Sequence, residues 1–384
     1  MHLQIAAGLL RLGHDVRYVE TSSAWPYDAG RGLRVDDAGY TLAYLARVTP
    51  RFGLGERWAY RRSWGDGAWL GPAATDAAQW LAGTDFVFNV AGATWIAQDG
   101  FRCGRLVHYG TDPVAEELRH AAGDARTVAQ IAAHDDTVTY GENIGTPRSP
   151  LPPLPKLRAR TRQPVLMDLW DAGAPSRDVF TTVGNWRQDG QDLVFQGRPL
   201  RWSKHHEFLK FVDAPRLAGQ AVELATNLSA PEPEDTGAGA DKVPSARSLD
   251  REHAGRLVAG GWRIADGPAL STDPFTYRDY IVASRAEFTV AREFNLLPRS
   301  AWFSERSACY LAAGRPVITQ DTGFSDVLPT GEGLLAFTTL DEAVESLRAV
   351  AADWPRHARA ARAIAHDCFR AEVVLPRLLA DLGA

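Results

Sequence analysis

The run Trp302-Phe303-Ser304-Glu305-Arg306 places an N-cap, an acid and a guanidinium within one helical turn. Ser304 suits the start of a helix over 304–313. The free N–H groups of that first turn attract negative charge and Arg306 lies among them, so the three together suit a phosphate or diphosphate. Gly314 stops the helix, 316–319 reads as a short buried strand, and Asp321, Thr322, Gly323 and Phe324 form a polar loop beyond it. Ligands of open α/β sheets lie beyond the carboxyl ends of the strands, which makes this loop a binding candidate. A second glycine turn, Gly184-Asn185, follows the apolar strand 180–183, and glycine lets backbone N–H groups approach phosphate oxygens closely. Lys204 offers another cation. His205 and His206 follow it, but adjacent helical residues point about 100° apart and cannot chelate one ion together. The pair reads first as structural, with His205 a candidate phosphate contact.

Two carboxylates stand out near the other end of the chain. Asp112 and Glu142 follow strands at 105–109 and 136–140, where either could serve as a general base toward a hydroxyl or amine. Each could equally cap a helix or pair with an arginine. His108 lies inside its strand and reads as buried support. No two carboxylates can be placed face to face across one bond, as glycoside hydrolysis requires.

The elements that position these residues alternate between helix and strand. A helix at 2–12 feeds a strand at 15–20, and strands follow at 84–90, 105–109 and 136–140. Residues 22–79 are rich in loops, with a helix near 75–81, and tryptophans there suggest acceptor shaping. Residues 146–164 are rich in Pro and Arg without a period and read as an extended linker. Beyond it, strands at 180–183, 221–225, 262–265, 287–290, 316–319 and 333–337 alternate with helices at 202–212, 251–259, 274–284, 340–353, 355–370 and 371–383. Residues 229–248 have the Pro, Glu, Gly and Ser content of a mobile surface loop. The alternation favours a parallel sheet in each half.

At 384 residues the chain suits two domains of roughly 150–200 residues each. A formal net charge of −5 gives no basic excess for nucleic acid or an anionic membrane. Cys103, Cys309 and Cys368 are scattered and read as reduced thiols, neither a disulfide frame nor a zinc site. No apolar run approaches the ~20 residues of a membrane span and no signal segment precedes the first helix, so a cytoplasmic location is expected.

The stretch Leu311-Ala312-Ala313-Gly314-Arg315-Pro316-Val317-Ile318 resembles the nucleotide-sugar half of GT-B glycosyltransferases. The longer segments FTTVGNWRQDGQDLVFQGRPLRWSKHHEFLKFVD, AWFSERSACYLAAGRPVITQDTGF and TYGENIG resemble, in that order, a bacterial family of the same type. In many GT-B proteins a Glu five residues before the glycine holds the donor ribose. Cys309 stands there in this chain, and Glu305, one turn earlier, is the candidate replacement.

The resemblance implies two doubly wound Rossmann-like α/β domains facing a cleft. It implies an acceptor-side domain over 1–150, a linker over 151–165, a nucleotide-sugar domain over 166–370 and a helix over 371–384 that crosses back. The first strand of the N-terminal domain, with its glycine loop, is absent ahead of the helix at 2–12. The implied activity is transfer of a sugar, of hexosyl type, from a nucleotide-diphosphate donor to a small-molecule acceptor, with inversion or retention left open. The donor site so implied comprises Gly184, Asn185, Lys204, His205, Glu305, Arg306, Cys309 and 321–324. No metal, no cofactor beyond the donor and no nucleic acid are expected. A catalytically inert nucleotide-sugar binder and a GT-B-shaped epimerase remain alternatives.

Overall fold

Short apolar runs separated by glycine turns form parallel strands throughout the chain. The computed structural model describes residues 1–21, 24–95, 100, 102–188, 190–229 and 246–384. They divide into two compact units, Met1–Leu166 with Asp367–Ala384, and Met167–His366.

The first unit opens with helix α1 (His2–Arg11), whose Ile5, Ala6 and Leu9 are buried. Strand β1 (Tyr18–Thr21) pairs in parallel with β2 (Trp58–Arg61), and β2 pairs antiparallel with β3 (Trp69–Leu70). A separate four-stranded sheet runs in the order β4 (Phe86–Val90), β5 (Arg105–Gly110), β6 (Asp136–Thr139) and β7 (Leu157–Arg160), all parallel. Helix α2 (Ala115–Ala121) follows β5. Strand β7 falls where an extended linker was expected. Its alternating arginines are held by the sheet itself: Arg158 Nε donates to Asp136 Oδ1 at 2.9 Å and Arg160 Nε to the Ile144 carbonyl at 2.7 Å, while Ala159 is buried between them.

The second unit holds a six-stranded parallel sheet. Its strands are β8 (Phe180–Val183), β9 (Val222–Thr226), β10 (Trp262–Asp266), β11 (Ala286–Thr289), β12 (Val317–Gln320) and β13 (Leu334–Phe337), in spatial order 10-9-8-11-12-13. Phe180, Leu224, Phe288, Ile318 and Phe337 fill its core, with Phe288 and Phe337 stacked 5.5 Å apart. The helix expected over 202–212 is shorter: α3 (His205–Phe208) passes into a 3₁₀ turn, Leu209–Phe211. Helix α4 (Glu305–Ala312) ends before Gly314, whose φ of 66° is the left-handed geometry glycine tolerates. Most of the expected 229–248 loop lies outside the described residues, and the following helix begins earlier than read, at Ala246.

The terminal helix α5 (Ala371–Leu382) belongs to the first unit and packs on α1. Gly8 permits this approach, because a Cβ there would stand 2.5 Å from Leu375 Cδ1 and 3.1 Å from Ala371 Cβ. Gln4 Oε1 accepts the Leu166 N–H at 3.0 Å, and the Val165 N–H meets the Phe369 carbonyl at 2.7 Å. No described helix is long and apolar enough to cross a membrane.

Gly333 combines a φ of 74° with a Cβ position only 2.2 Å from the Ala361 nitrogen. Gly331 has a φ of 106° with nothing near its Cβ position. Gly333→Ala is therefore expected to cost about 2–3 kcal/mol in urea unfolding, and Gly331→Ala about 1–2 kcal/mol from backbone strain alone. Equal losses would mean that the contact with Ala361 is not limiting.

Candidate functional site

The carboxyl ends of β11 and β12 open on a small pocket whose lining includes Lys204, Thr289, Trp302, Ser304, Arg306 and Thr322. Of the sequence-predicted donor residues, Lys204, Arg306, Thr322 and Phe324 line it, whereas Gly184, Asn185, His205, Glu305, Cys309, Asp321 and Gly323 do not. Their individual roles differ from expectation.

The loop after β12 is stitched to the segment before α4. Asp321 Oδ1 accepts the Gly323 N–H at 2.8 Å and Oδ2 accepts the Ser325 hydroxyl at 2.6 Å. Thr322 donates its hydroxyl to the Trp302 carbonyl at 2.6 Å, and the Ala301 N–H returns to the Thr322 carbonyl at 2.9 Å. Gly323 takes a φ of 94°, and Phe324 is buried edge-on to Phe303. Asp321, expected as a ligand contact, instead folds its own loop. Arg299 and Ala301 are held at φ values of 48° and 60°, strain that this stitching must sustain.

Arg306 is the largest correction. It was expected to reach a diphosphate, yet its side chain turns into the sheet. Nε donates to Glu287 Oε1 at 2.5 Å, Nη1 to the Val183 carbonyl at 2.6 Å and Nη2 to Thr289 Oγ1 at 3.1 Å. Burial alone would lower its pKa, but Glu287 beside it outweighs that and holds it above the usual arginine value. Glu287 is fully buried and its second oxygen has no partner, so Arg306 is committed to neutralising it.

Lys204 fits the pocket better, and a buried chain fixes it. It precedes α3, whose Glu207 and Phe208 N–H groups bond back to the Lys204 carbonyl at 2.9 and 3.1 Å. Glu207 is buried; one oxygen accepts from Lys210 at 2.6 Å and the other from Gln320 Nε2 at 2.9 Å. Gln320 Oε1 in turn accepts the Ala291 N–H at 3.0 Å. The helix carrying Lys204 is thereby tied to β12 and to the loop after β11.

At the end of β8 the Gly184 N–H is spent on the Ala225 carbonyl at 3.0 Å, so it does not face a phosphate as expected. Asn185 is exposed. Trp186, absent from the predicted site, is buried against His205 and His253. Trp186 Nε1, His205 Nδ1 and His253 Nδ1 are buried without partners. Burial pushes the His205 pKa down to about 4, helped by His206, Arg187 and His253. The ring is neutral at neutral pH, which removes the cationic phosphate contact assigned to it. Cys309 is buried in α4 and outside the pocket lining, so the position that would meet a ribose faces the core; Glu305 sits half-buried in the first turn.

In the first unit Asp112 lies half-buried just beyond β5. Glu142 does not stand ready as a base: Arg162 clasps it through Nε at 2.6 Å and Nη2 at 3.1 Å. A polar cluster that the sequence did not reveal lies beside these strand ends. His108, fully buried, places Nε2 2.7 Å from Glu116 Oε2 and its ring edge-on to His134. Asn89 Nδ2 lies 3.0 Å from His134 Nε2, whose pKa burial and His108 push down to about 4. The nearby Glu117 carboxyl, raised to about 7 by burial, accepts the N–H of Val114 at 2.6 Å, and Val114 is held at φ 93°. Among the described residues, no three His, Cys, Asp or Glu side chains gather as metal ligands.

No family model and no curated protein matches the sequence. Solved structures do match over its whole length. Anabaena HepE in complex with UDP and glucose superposes with a TM-score of 0.56 at 11% identity, covering 100% of this chain and 94% of that one. The same protein with UDP-glucose gives 0.53 at 13% identity, over 96% and 99%. Sucrose-phosphate synthase from Thermosynechococcus elongatus gives 0.50 at 13% identity, over 99% and 92%. The chain has the GT-B fold. In GT-B terms, the pocket at β11 and β12 belongs to the sheet that the sequence assigned to the nucleotide-sugar half.

Arg306→Ala is expected to destabilise the second unit by about 3–5 kcal/mol, because it strands the Glu287 charge in the core. The double variant Arg306→Leu/Glu287→Leu should recover most of that loss in urea unfolding. Full stability of the single variant would return Arg306 to the list of ligand contacts.

Proposed function

We propose that this GT-B chain is a glycosyltransferase that takes a sugar from a uridine diphosphate donor, binding the diphosphate at the pocket of β11 and β12. The observation that carries the reading is the placement of Lys204, held by the Glu207–Gln320–Ala291 chain, over the carboxyl ends of two parallel strands. Lys204 and the amino end of α4 offer positive charge to an anionic leaving group at this wall. Ser304 and Thr322 add polar groups on the same wall. Support for uridine comes from HepE, whose structures contain UDP, UDP with glucose, and UDP-glucose.

In this reading Arg306 is a positioning residue: it holds Thr289 and the end of β8 in place. The charge on the diphosphate is met by Lys204 and the helix terminus, which makes the transfer metal-independent. Asp112, just beyond β5, serves as the acceptor-side base in this reading, while both oxygens of Glu142 are bonded to Arg162. The acceptor is a small aromatic or amphipathic molecule of secondary metabolism, the transferred group is a hexose, and the enzyme works in the cytoplasm.

The test is a thermal-shift panel of UDP, GDP, dTDP, ADP and CMP on the 384-residue chain. UDP at a hundred times its dissociation constant adds about 2.7 kcal/mol, a rise of several degrees, and the other nucleotides add less. Lys204→Ala should weaken UDP by about tenfold, the scale of one charge-assisted hydrogen bond. An unselective or absent response sinks the uridine reading. A UDP response without slow UDP-sugar hydrolysis favours the inert binder.

A further inference from the structure

The turn 111–114 joins β5, which ends at Gly110, to α2, which begins at Ala115, and it carries Asp112. Its last residue is under strain. Val114 takes φ 93° and ψ −52°, close to the rare form of the γ-turn, and a β-branched side chain is a true outlier there. Such a residue persists only where its surroundings over-determine it. The Val114 side chain is fully buried, its carbonyl accepts the Leu118 N–H at 3.0 Å, and its N–H donates to Glu117 Oε2 at 2.6 Å. Pro113 is fixed as well. It is buried against the loop after β6, where a Cβ on Gly141 would stand 3.3 Å from Pro113 Cβ. A residue before proline is held extended, so the backbone of Asp112 is restricted from the same side.

The bond to Glu117 is the unusual one of these contacts. A glutamate or a glutamine near a helix start often reaches back to the N–H that precedes the helix, and either side chain fits. Glu342 does this from an exposed position at the start of the helix Leu340–Ala352, accepting the Thr339 N–H at 3.0 Å. Glu117 does it with 3% exposure. Burial pushes its pKa up to about 7, against the pull of the N–H groups it accepts. Glutamine would fill the position without burying a charge. What the carboxylate adds is a charge-assisted bond, shorter and about twice as strong as a neutral one.

We propose that Glu117 is a positioning residue: its carboxylate grips the Val114 N–H, holds the turn 111–114 in its strained form and so sets where Asp112 stands beyond β5. The inference rests on the reading of Asp112 as the acceptor-side base. Two titratable groups face Glu117. Glu116 on the same helix opposes its charge, and His108 on β5, 2.7 Å from Glu116, favours it. His134, edge-on to His108, has its pKa pushed down to about 4 and is neutral near pH 7. Ionising Glu117 then has two effects of opposite sign. Its folded pKa lies above the ordinary 4.5, so its contribution to global stability is full below about pH 4.5 and is lost as the pH rises to about 7. The turn, in contrast, tightens as the carboxylate forms. A charge that served only the stability of the fold would move both in the same direction.

The wild-type chain and Glu117→Gln are compared from about pH 5 to about pH 8, by hydrogen exchange of peptides spanning 110–114 and by urea unfolding. Wild-type protection of 110–114, corrected for the intrinsic exchange rate, should rise about tenfold over that range, the difference between a charged and a neutral hydrogen bond. Over the same range its stability relative to the variant should fall. In Glu117→Gln the turn should stay at the low level throughout, with the α2 amides still protected. Hydrolysis of UDP-glucose gives the second readout. The variant should lose about tenfold in kcat, keep KM within about twofold and lack the acid limb that the wild type shows near neutral pH. Level turn protection in the wild type, or turn protection and relative stability that move together, would overturn the proposal. A variant that hydrolyses UDP-glucose with the wild-type kcat and pH profile would do the same. If the wild type neither binds UDP nor hydrolyses UDP-glucose, the transfer reading fails, and the exchange result alone decides whether Glu117 holds the turn.

Discussion

The second unit depends on one buried ion pair. Glu287 sits in the middle of β11 with no exposure, and its charge is tolerable only because Arg306 reaches it from α4. The same guanidinium bonds to the end of β8 and to Thr289, so a single side chain fixes two strands and a helix at the edge of the pocket. A buried pair of this kind adds little net stability compared with well-packed apolar side chains. What it provides is a tie between α4 and the sheet, because moving α4 away would leave the carboxylate without its cation. Thr182 extends the arrangement sideways by donating its hydroxyl to Thr289 Oγ1 at 3.0 Å.

A second polar chain, from Lys210 through Glu207 and Gln320 to the Ala291 N–H, does for α3 what Arg306 does for α4. Both chains end beneath the pocket and use buried carboxylates. The pocket's cation and its helix terminus are therefore presented by elements that cannot slide without exposing or stranding a charge. Groups held in this way meet an anion with little rearrangement. The stitched loops at 298–304 and 321–324 complete the rim at the cost of two non-glycine residues in left-handed geometry.

The sheet of the second unit was legible in the sequence because its strands are continuous apolar runs bounded by glycine, a signal that depends only on near neighbours. Strand β7 was not legible. Leu157-Arg158-Ala159-Arg160 reads as solvated, and it is a strand because it pairs with β6, whose Asp136 lies 22 residues before Arg158 and accepts it. The site's location could be read from topology, whereas its division of labour could not. Arg306 looked like a phosphate ligand because its partner lies 19 residues away on another strand. One signal for it was present: Glu287 stands inside a run otherwise fit for burial, and a buried carboxylate demands a cation. The cluster of His108, His134, Asn89 and Glu116 offered no such signal, since it is assembled from four elements that each look ordinary alone.

The two units differ in how their sheets are finished. In the second, six strands form one unbroken ladder. In the first, nine described strands stand as sheets of three, four and two, the last being the pair Tyr27–Asp28 and Leu33–Arg34, and among the described residues β1 and β4 are edge strands. An open edge inside a fold is costly, because each buried backbone N–H or C=O without a partner forfeits about 1–3 kcal/mol. The ends of β4, β5 and β6 carry the His108 cluster and Asp112, so the open edge at β4 borders the polar groups of that unit.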